Sequence, residues 1–222
     1  MDDEAERRPI RRKLSRREML KRAAVAGVIG AVPPQVLAQR AAEPYKSLSE
    51  PEARTLEAIV ARLIPSDARS PGALEAGATR YIDSALGDAL AASRPMYTAG
   101  LAALDAHARG ATGKPFADLG PERQDALLRD LEQNVAKGFT PSASAFFELV
   151  LGHTLEGTFS DPYYGGNRDF IGWELIGYPG LRLAVLADEQ RMDAKNPLVR
   201  VSAYDLPMFE KSGDHEDDHH GR

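Results

Sequence analysis

Between residues 49 and 160 the apolar positions recur at intervals of three and four, the spacing of helices that bury one face. Ser49-Glu50-Pro51-Glu52 has the spacing of a capping box with proline in the first turn, and Leu56, Ile59, Val60, Leu63 and Ile64 follow at helical intervals up to Pro65. A turn-rich loop over 66–72 leads to a second helix through Leu74, Ala78, Tyr81, Ile82, Ala85 and Leu86. A third helix spans Met96 to Ala108, and its Ala and Gly content makes it either close-packed or marginal. Phe116 and Leu119 are the sizeable apolar residues of the loop from Gly110 to Gly120 and are expected to plug the core. Pro121 opens a helix that buries Leu127, Leu128 and Leu131. Thr140-Pro141 opens the most apolar one, through Phe146, Phe147, Val150, Leu151, Thr154 and Leu155, which is expected at the centre of a bundle. Sustained period-two alternation is scarce, so the pattern predicts an all-α fold, a compact helical bundle over 47–210.

The two ends of the chain break this pattern. Ser15-Arg16-Arg17-Glu18-Met19-Leu20-Lys21 precedes an uncharged, small-residue run from Ala23 to Val32 and the small-residue end Val36-Leu37-Ala38. A paired arginine, a short apolar segment and a possible cleavage site, in that order, read as a twin-arginine export signal over 1–38, with Arg16, Arg17, Leu20 and Lys21 as its determinants. The run is about half the roughly twenty residues a membrane span needs, and Pro33 and Pro34 break it. Residues 39–46 read as a connector. From Lys211 to Arg222 no apolar residue offsets ordering entropy, so a disordered acidic tail is expected; a metal role for His215, His219 and His220 is the weaker reading of that tail.

Charge sharpens the division. The first 22 residues hold nine basic and five acidic residues, so they carry +4 of a chain whose net charge is −5, which leaves −9 on residues 39–222. An acidic exported part argues against nucleic acid or an anionic membrane surface as partner. The chain has no cysteine, which excludes disulfides, thiolate metal sites, Cys-Xaa-Xaa-Cys-His haem attachment and cysteine-held iron–sulfur clusters.

Residues 158–180 crowd glycine, proline and aromatic side chains together, including the single tryptophan. Gly165-Gly166-Asn167 suits backbone angles closed to most residues, and Asn167 is placed to cap a helix running toward Trp173. Tyr163, Tyr164, Phe170 and Trp173 either cover one end of the bundle or form a recognition surface, and both readings stand. The phosphate-cradling and dinucleotide glycine spacings are absent.

Together these stretches resemble the gluconate 2-dehydrogenase subunit 3 family, the small subunit of bacterial membrane-bound flavin-dependent sugar and sugar-acid dehydrogenases. The resemblance rests on the twin-arginine segment, Arg62-Leu63-Ile64-Pro65-Ser66-Asp67, Pro71-Gly72-Ala73 through Tyr81-Ile82-Asp83, Asp161-Pro162-Tyr163-Tyr164-Gly165-Gly166-Asn167, Gly172-Trp173 and Ile176-Gly177-Tyr178-Pro179-Gly180. It implies a non-catalytic subunit that binds no cofactor itself. Its partners would be a large subunit that holds FAD, a multihaem cytochrome c subunit and the twin-arginine translocase, and its location the periplasm. Tyr163, Tyr164, Gly165, Gly166, Asn167 and Trp173 are then candidates for docking the large subunit.

Two other readings compete. In one the chain is an enzyme, with His153 and Glu156 sharing a helix face as an acid–base pair; a structural role for His153 in so apolar a helix is the stronger expectation. In the other it is a stand-alone helical binding protein whose aromatics stack on a sugar. No Gly-Xaa-Ser-Xaa-Gly or His-Glu-Xaa-Xaa-His motif supports the first.

Overall fold

The computed structural model describes residues 44–209. The twin-arginine segment, with Arg16, Arg17, Leu20 and Lys21, and the acidic tail from Lys211 lie outside the described residues. The described residues are all-α, without strands: α1 (Glu50–Leu63), α2 (Ala78–Leu86), α3 (Arg94–Thr112), α4 (Pro121–Glu132), α5 (Ala143–Phe159) and the short α6 (Ile171–Leu175), joined by loops and single 3-10 turns.

The most apolar helix is central. α5 packs against α1, α2, α3, α4 and α6, and Phe146 and Val150 meet Leu56, Ile59 and Val60 of α1, Ile82 of α2, Leu104 of α3 and Leu131 of α4 in one core. Its far side is less enclosed than its composition suggests: Phe147 and Leu151 are half-buried and Leu155 is exposed. α3 is close-packed rather than marginal, because a Cβ on Gly100 would overlap the ring of Phe146. Phe116 fills the core from its loop, with Leu119 packed against it.

Helix boundaries follow their local signals, with three corrections, the first being that α3 runs from Arg94 to Thr112, beyond the expected Met96–Ala108 and into the expected loop at Gly110. α2 begins at Ala78 and not at Leu74, because Gly77 takes a left-handed φ of 83° and separates a turn over 74–77 from the helix. α5 begins at Ala143, where the Ser142 hydroxyl accepts from the Ala145 N–H at 3.1 Å, two residues after the expected Thr140-Pro141 opening. At α1 the Glu52 carboxylate accepts both the N–H and the hydroxyl of Ser49, at 2.8 and 2.7 Å.

Polar ties fix how the helices sit. Arg62 of α1 grips Asp125 of α4 with two bonds of 2.7 and 2.8 Å, and Arg94 of α3 grips Glu52 of α1 at 2.9 and 2.8 Å while also donating to the Ser47 carbonyl. Asp83 of α2 is buried, and its carboxylate accepts the N–H groups of Lys46, Ser47 and Leu48 at 2.8, 2.8 and 2.9 Å. The described end of the expected connector is therefore pinned to the bundle, with Tyr45 donating to Glu57 at 2.5 Å.

The Glu52 tie has a pH signature. Partial burial opposes its ionisation, but hydrogen bonds from Arg94 and Ser49 outweigh that and hold the carboxyl down at about 2, against an ordinary 4.5. A depressed carboxylate contributes stability that is present above its unfolded value and is lost as pH falls from 4.5 toward 2. Glu52→Gln is expected to lower Tm at pH 7, with the gap from the wild type narrowing between pH 4.5 and 2; thermal melts across that window check it.

Candidate functional site

Three distant stretches of sequence meet at one end of the bundle. The Ala73 N–H donates to the Ile64 carbonyl at 2.9 Å, which folds the 66–72 loop back onto the end of α1. The following turn receives the loop after α5: the Arg168 N–H donates to the Ala76 carbonyl at 2.8 Å, and its guanidinium to the Glu75 carbonyl at 2.7 Å. Arg69, Ser70 and Pro71 then face Ile171, Glu174 and Leu175 of α6 across a groove.

The loop after α5 completes the hydrogen bonding of that helix. The last carbonyls of a helix have no partner within it. Here the Asn167 N–H reaches the Gly157 carbonyl at 2.7 Å, the Trp173 indole N–H reaches Phe159 at 2.9 Å, and the Asn167 side-chain amide reaches Ser160 at 2.8 Å. Contact this close admits no side chain, since a Cβ on Gly166 would overlap the Gly157 carbonyl and one on Gly172 the Thr158 carbonyl. Asn167, in a left-handed conformation (φ 41°), also accepts the Gly172 N–H at 2.8 Å and so caps α6 from three residues before its N-cap, Phe170.

The six residues expected to dock a partner therefore divide. Gly166, Asn167 and Trp173 are buried and hold the loop to α5, and Trp173 packs between Phe170 and Tyr178. Tyr163 and Tyr164 are about half-exposed at 49% and 51%, and Gly165 is exposed beside them. One ring system therefore closes the bundle and the other faces outward.

One member of the outward cluster was not legible in the sequence. Tyr204 stacks on Tyr163 with ring centroids 3.6 Å apart, and its hydroxyl meets that of Tyr164 at 3.0 Å. Asp161 holds it there, its carboxylate accepting the Tyr163 N–H, the Ser202 hydroxyl and the Ala203 N–H at 2.9, 2.5 and 2.9 Å. The Tyr204 hydroxyl is pushed up from its ordinary value by the hydrogen bond with Tyr164. No periodicity or motif marks residues 199–205, so only the fold reveals the pairing.

His153 lies within the core. Its Nδ1 meets the Tyr97 hydroxyl at 3.0 Å, and the two rings stack 5.8 Å apart. Burial pushes the imidazole down from its ordinary value, which favours the neutral form. Glu156, the expected acid–base partner, instead accepts from Tyr81 at 3.0 Å, and partial burial with that carboxylate pushes the Tyr81 hydroxyl up to about 12. His107 sits 3.4 Å from Asp130 on another part of the bundle. Among the described residues no three His, Asp or Glu side chains converge as a metal site.

An all-α bundle whose glycine-rich loop caps its central helix defines a class of small helical proteins, and comparison with known families places it further. The family model described as gluconate 2-dehydrogenase subunit 3 matches residues 50–180, more than half of the chain. The chain belongs to that family, named for a subunit of a gluconate dehydrogenase complex. No curated protein and no solved structure matches it.

The loop's geometry orders three substitutions. Gly165 has a left-handed φ of 90° but open space around it, so Gly165→Ala is expected to cost about 1 kcal/mol. Trp173→Phe orphans the Phe159 carbonyl and removes packing, at about 1–3 kcal/mol. Gly166→Ala drives a Cβ into backbone and is expected to cost the most, about 3 kcal/mol or more. Urea unfolding of the three variants checks the order.

Proposed function

We propose that this chain is the non-catalytic small subunit of a periplasmic FAD-dependent gluconate or sugar dehydrogenase complex. It binds the FAD-containing large subunit, assists its folding, and carries it through the twin-arginine translocase by Arg16 and Arg17. A multihaem cytochrome c subunit would complete the complex and take the electrons. The family match over residues 50–180 is the observation that carries this reading.

Three further features support it. The leader pattern suits a partner that must load its cofactor before export. Tyr163, Tyr164, Ile176 and Tyr178 are large exposed side chains on or beside the loop that anchors α5, and tyrosines in such positions give contact area with a polar handle. The engagement of His153 with Tyr97 supports a structural role for that imidazole.

The test is co-expression of the tagged chain with the FAD-dependent dehydrogenase large subunit of the same organism. A yellow complex with dye-linked sugar or sugar-acid oxidation is expected, and changing Arg16 and Arg17 to Lys is expected to leave it in the cytoplasm. Replacing Tyr163 and Tyr164 together by Ala is expected to weaken the complex by roughly 30-fold, the effect of losing one hot spot of about 2 kcal/mol. Recovery of the chain alone, colourless and inactive, overturns the reading.

A further inference from the structure

Most arginines of the described residues are neutralised by carboxylates within 4 Å, as Arg54 is by Asp118, Arg62 by Asp125 and Arg94 by Glu52. Arg80 and Arg168, like Arg69, Arg123 and Arg129, form no such pair among the described residues, but these two are held in place by other groups. The Arg80 guanidinium lies over the ring of Tyr45, 4.0 Å from its centroid, and the Arg168 guanidinium is held by the Glu75 carbonyl at 2.7 Å. The contacts that hold them are a ring face and a backbone carbonyl, and the Glu75 carboxylate, held down chiefly by backbone hydrogen bonds, lies close enough to Arg168 to be held down in part by its charge. A ring face and a carbonyl restrict the side chain, and each leaves guanidinium N–H donors unused.

The two arginines line one cleft of about 330 Å³, whose floor is made by Pro162, Gly165 and Gly166 of the α5–α6 loop. Asp169 also lines it, without forming an ion pair with either arginine among the described residues, so the lining side chains set two guanidinium groups against one carboxylate. It opens beside Tyr163 and Tyr164, its immediate neighbours in sequence. Such a feature is unexpected in a chain that carries −9 over residues 39–222.

We propose that this cleft receives a carboxylate side chain, Asp or Glu, from an acidic segment of the large flavoprotein subunit, with Arg80 and Arg168 as its two donors. The inference rests on the subunit reading above and adds the chemistry of the partner's contact. Charge complementarity selects the occupant: a planar guanidinium pair held by a ring face and a carbonyl matches a carboxylate, and ordering the arginines beforehand lowers the entropy lost on docking. The exposed tyrosines supply apolar contact beside it, and the arginines set register and encounter rate.

The test uses full-length chain co-expressed with the large subunit, comparing wild type, Arg80→Gln/Arg168→Gln, the charge-keeping Arg80→Lys, and an Arg54→Gln/Arg191→Gln control that makes the same change in net charge elsewhere. The double variant is expected to bind at least tenfold more weakly, with a shallower dependence of affinity on salt; the Lys variant keeps the wild-type salt slope with an intermediate loss of affinity, and the control stays within about threefold of wild type. Unchanged melting of the free subunits separates this from misfolding. If Arg168→Gln lowers Tm through the lost Glu75 contact, Arg80→Gln alone is expected to show a smaller loss with the same change in salt slope. Equal binding and equal salt slope for wild type and double variant overturn the inference and leave the subunit reading intact. Failure of the wild type to bind the flavoprotein overturns both. Loss of binding to phosphatidylglycerol vesicles, with flavoprotein capture intact, assigns the cleft to a membrane surface and overturns it as well.

Discussion

The motif end of the bundle depends on how α5 finishes. A helix ending inside a packed protein leaves carbonyls that must find donors, because a buried unpaired acceptor costs about 1–3 kcal/mol. In this chain the donors come from the loop that follows: the N–H of Asn167 for Gly157, the indole of Trp173 for Phe159, and the Asn167 amide for Ser160. The loop reaches those carbonyls only because Gly166 and Gly172 bring backbone against backbone. The sequence order Gly-Gly-Asn and then Gly-Trp is therefore a capping device before it is anything else.

That requirement explains why half of the six candidate docking residues are interior. Asn167 and Trp173 are buried, and their substitution would act on the fold. What they achieve is placement. By locking the loop to α5 they set Tyr163, Tyr164, Arg168 and the exposed Gly165 on a rigid base, and Asp161 adds Tyr204 from 40 residues further along. Aromatic contacts on a preorganised base lose little conformational entropy when a partner arrives.

The helical part of this architecture was legible in the sequence because it is local. The 3.6-residue pattern and the capping signals at Ser49 and Pro121 identify α1 and α4, and the Gly-rich composition of α3 acquires meaning only with Phe146 against Gly100. Long-range polar contacts leave no such trace. Asp83 gathering the N–H groups of residues 46–48, Tyr97 meeting His153, and Asp161 meeting Ser202 each join residues dozens of positions apart with no shared periodicity. Of the candidate site, the aromatic and glycine content was visible beforehand; which side chains face in and which face out was set by the carbonyls of α5.

The same logic separates structural charge from charge left over. Glu52, Asp83 and Asp125 each satisfy specific donors, and their partners Arg94, the 46–48 backbone and Arg62 are satisfied in return. Arg80 and Arg168 form no carboxylate ion pair among the described residues and are held instead by a ring face and a backbone carbonyl. Two guanidinium groups held in place by a ring and a carbonyl, and not by a carboxylate, are the donors the proposed contact would use. On a chain that is acidic overall, an acidic partner docking through such a contact would gain its selectivity from place, because like charge over the remaining surface disfavours other orientations.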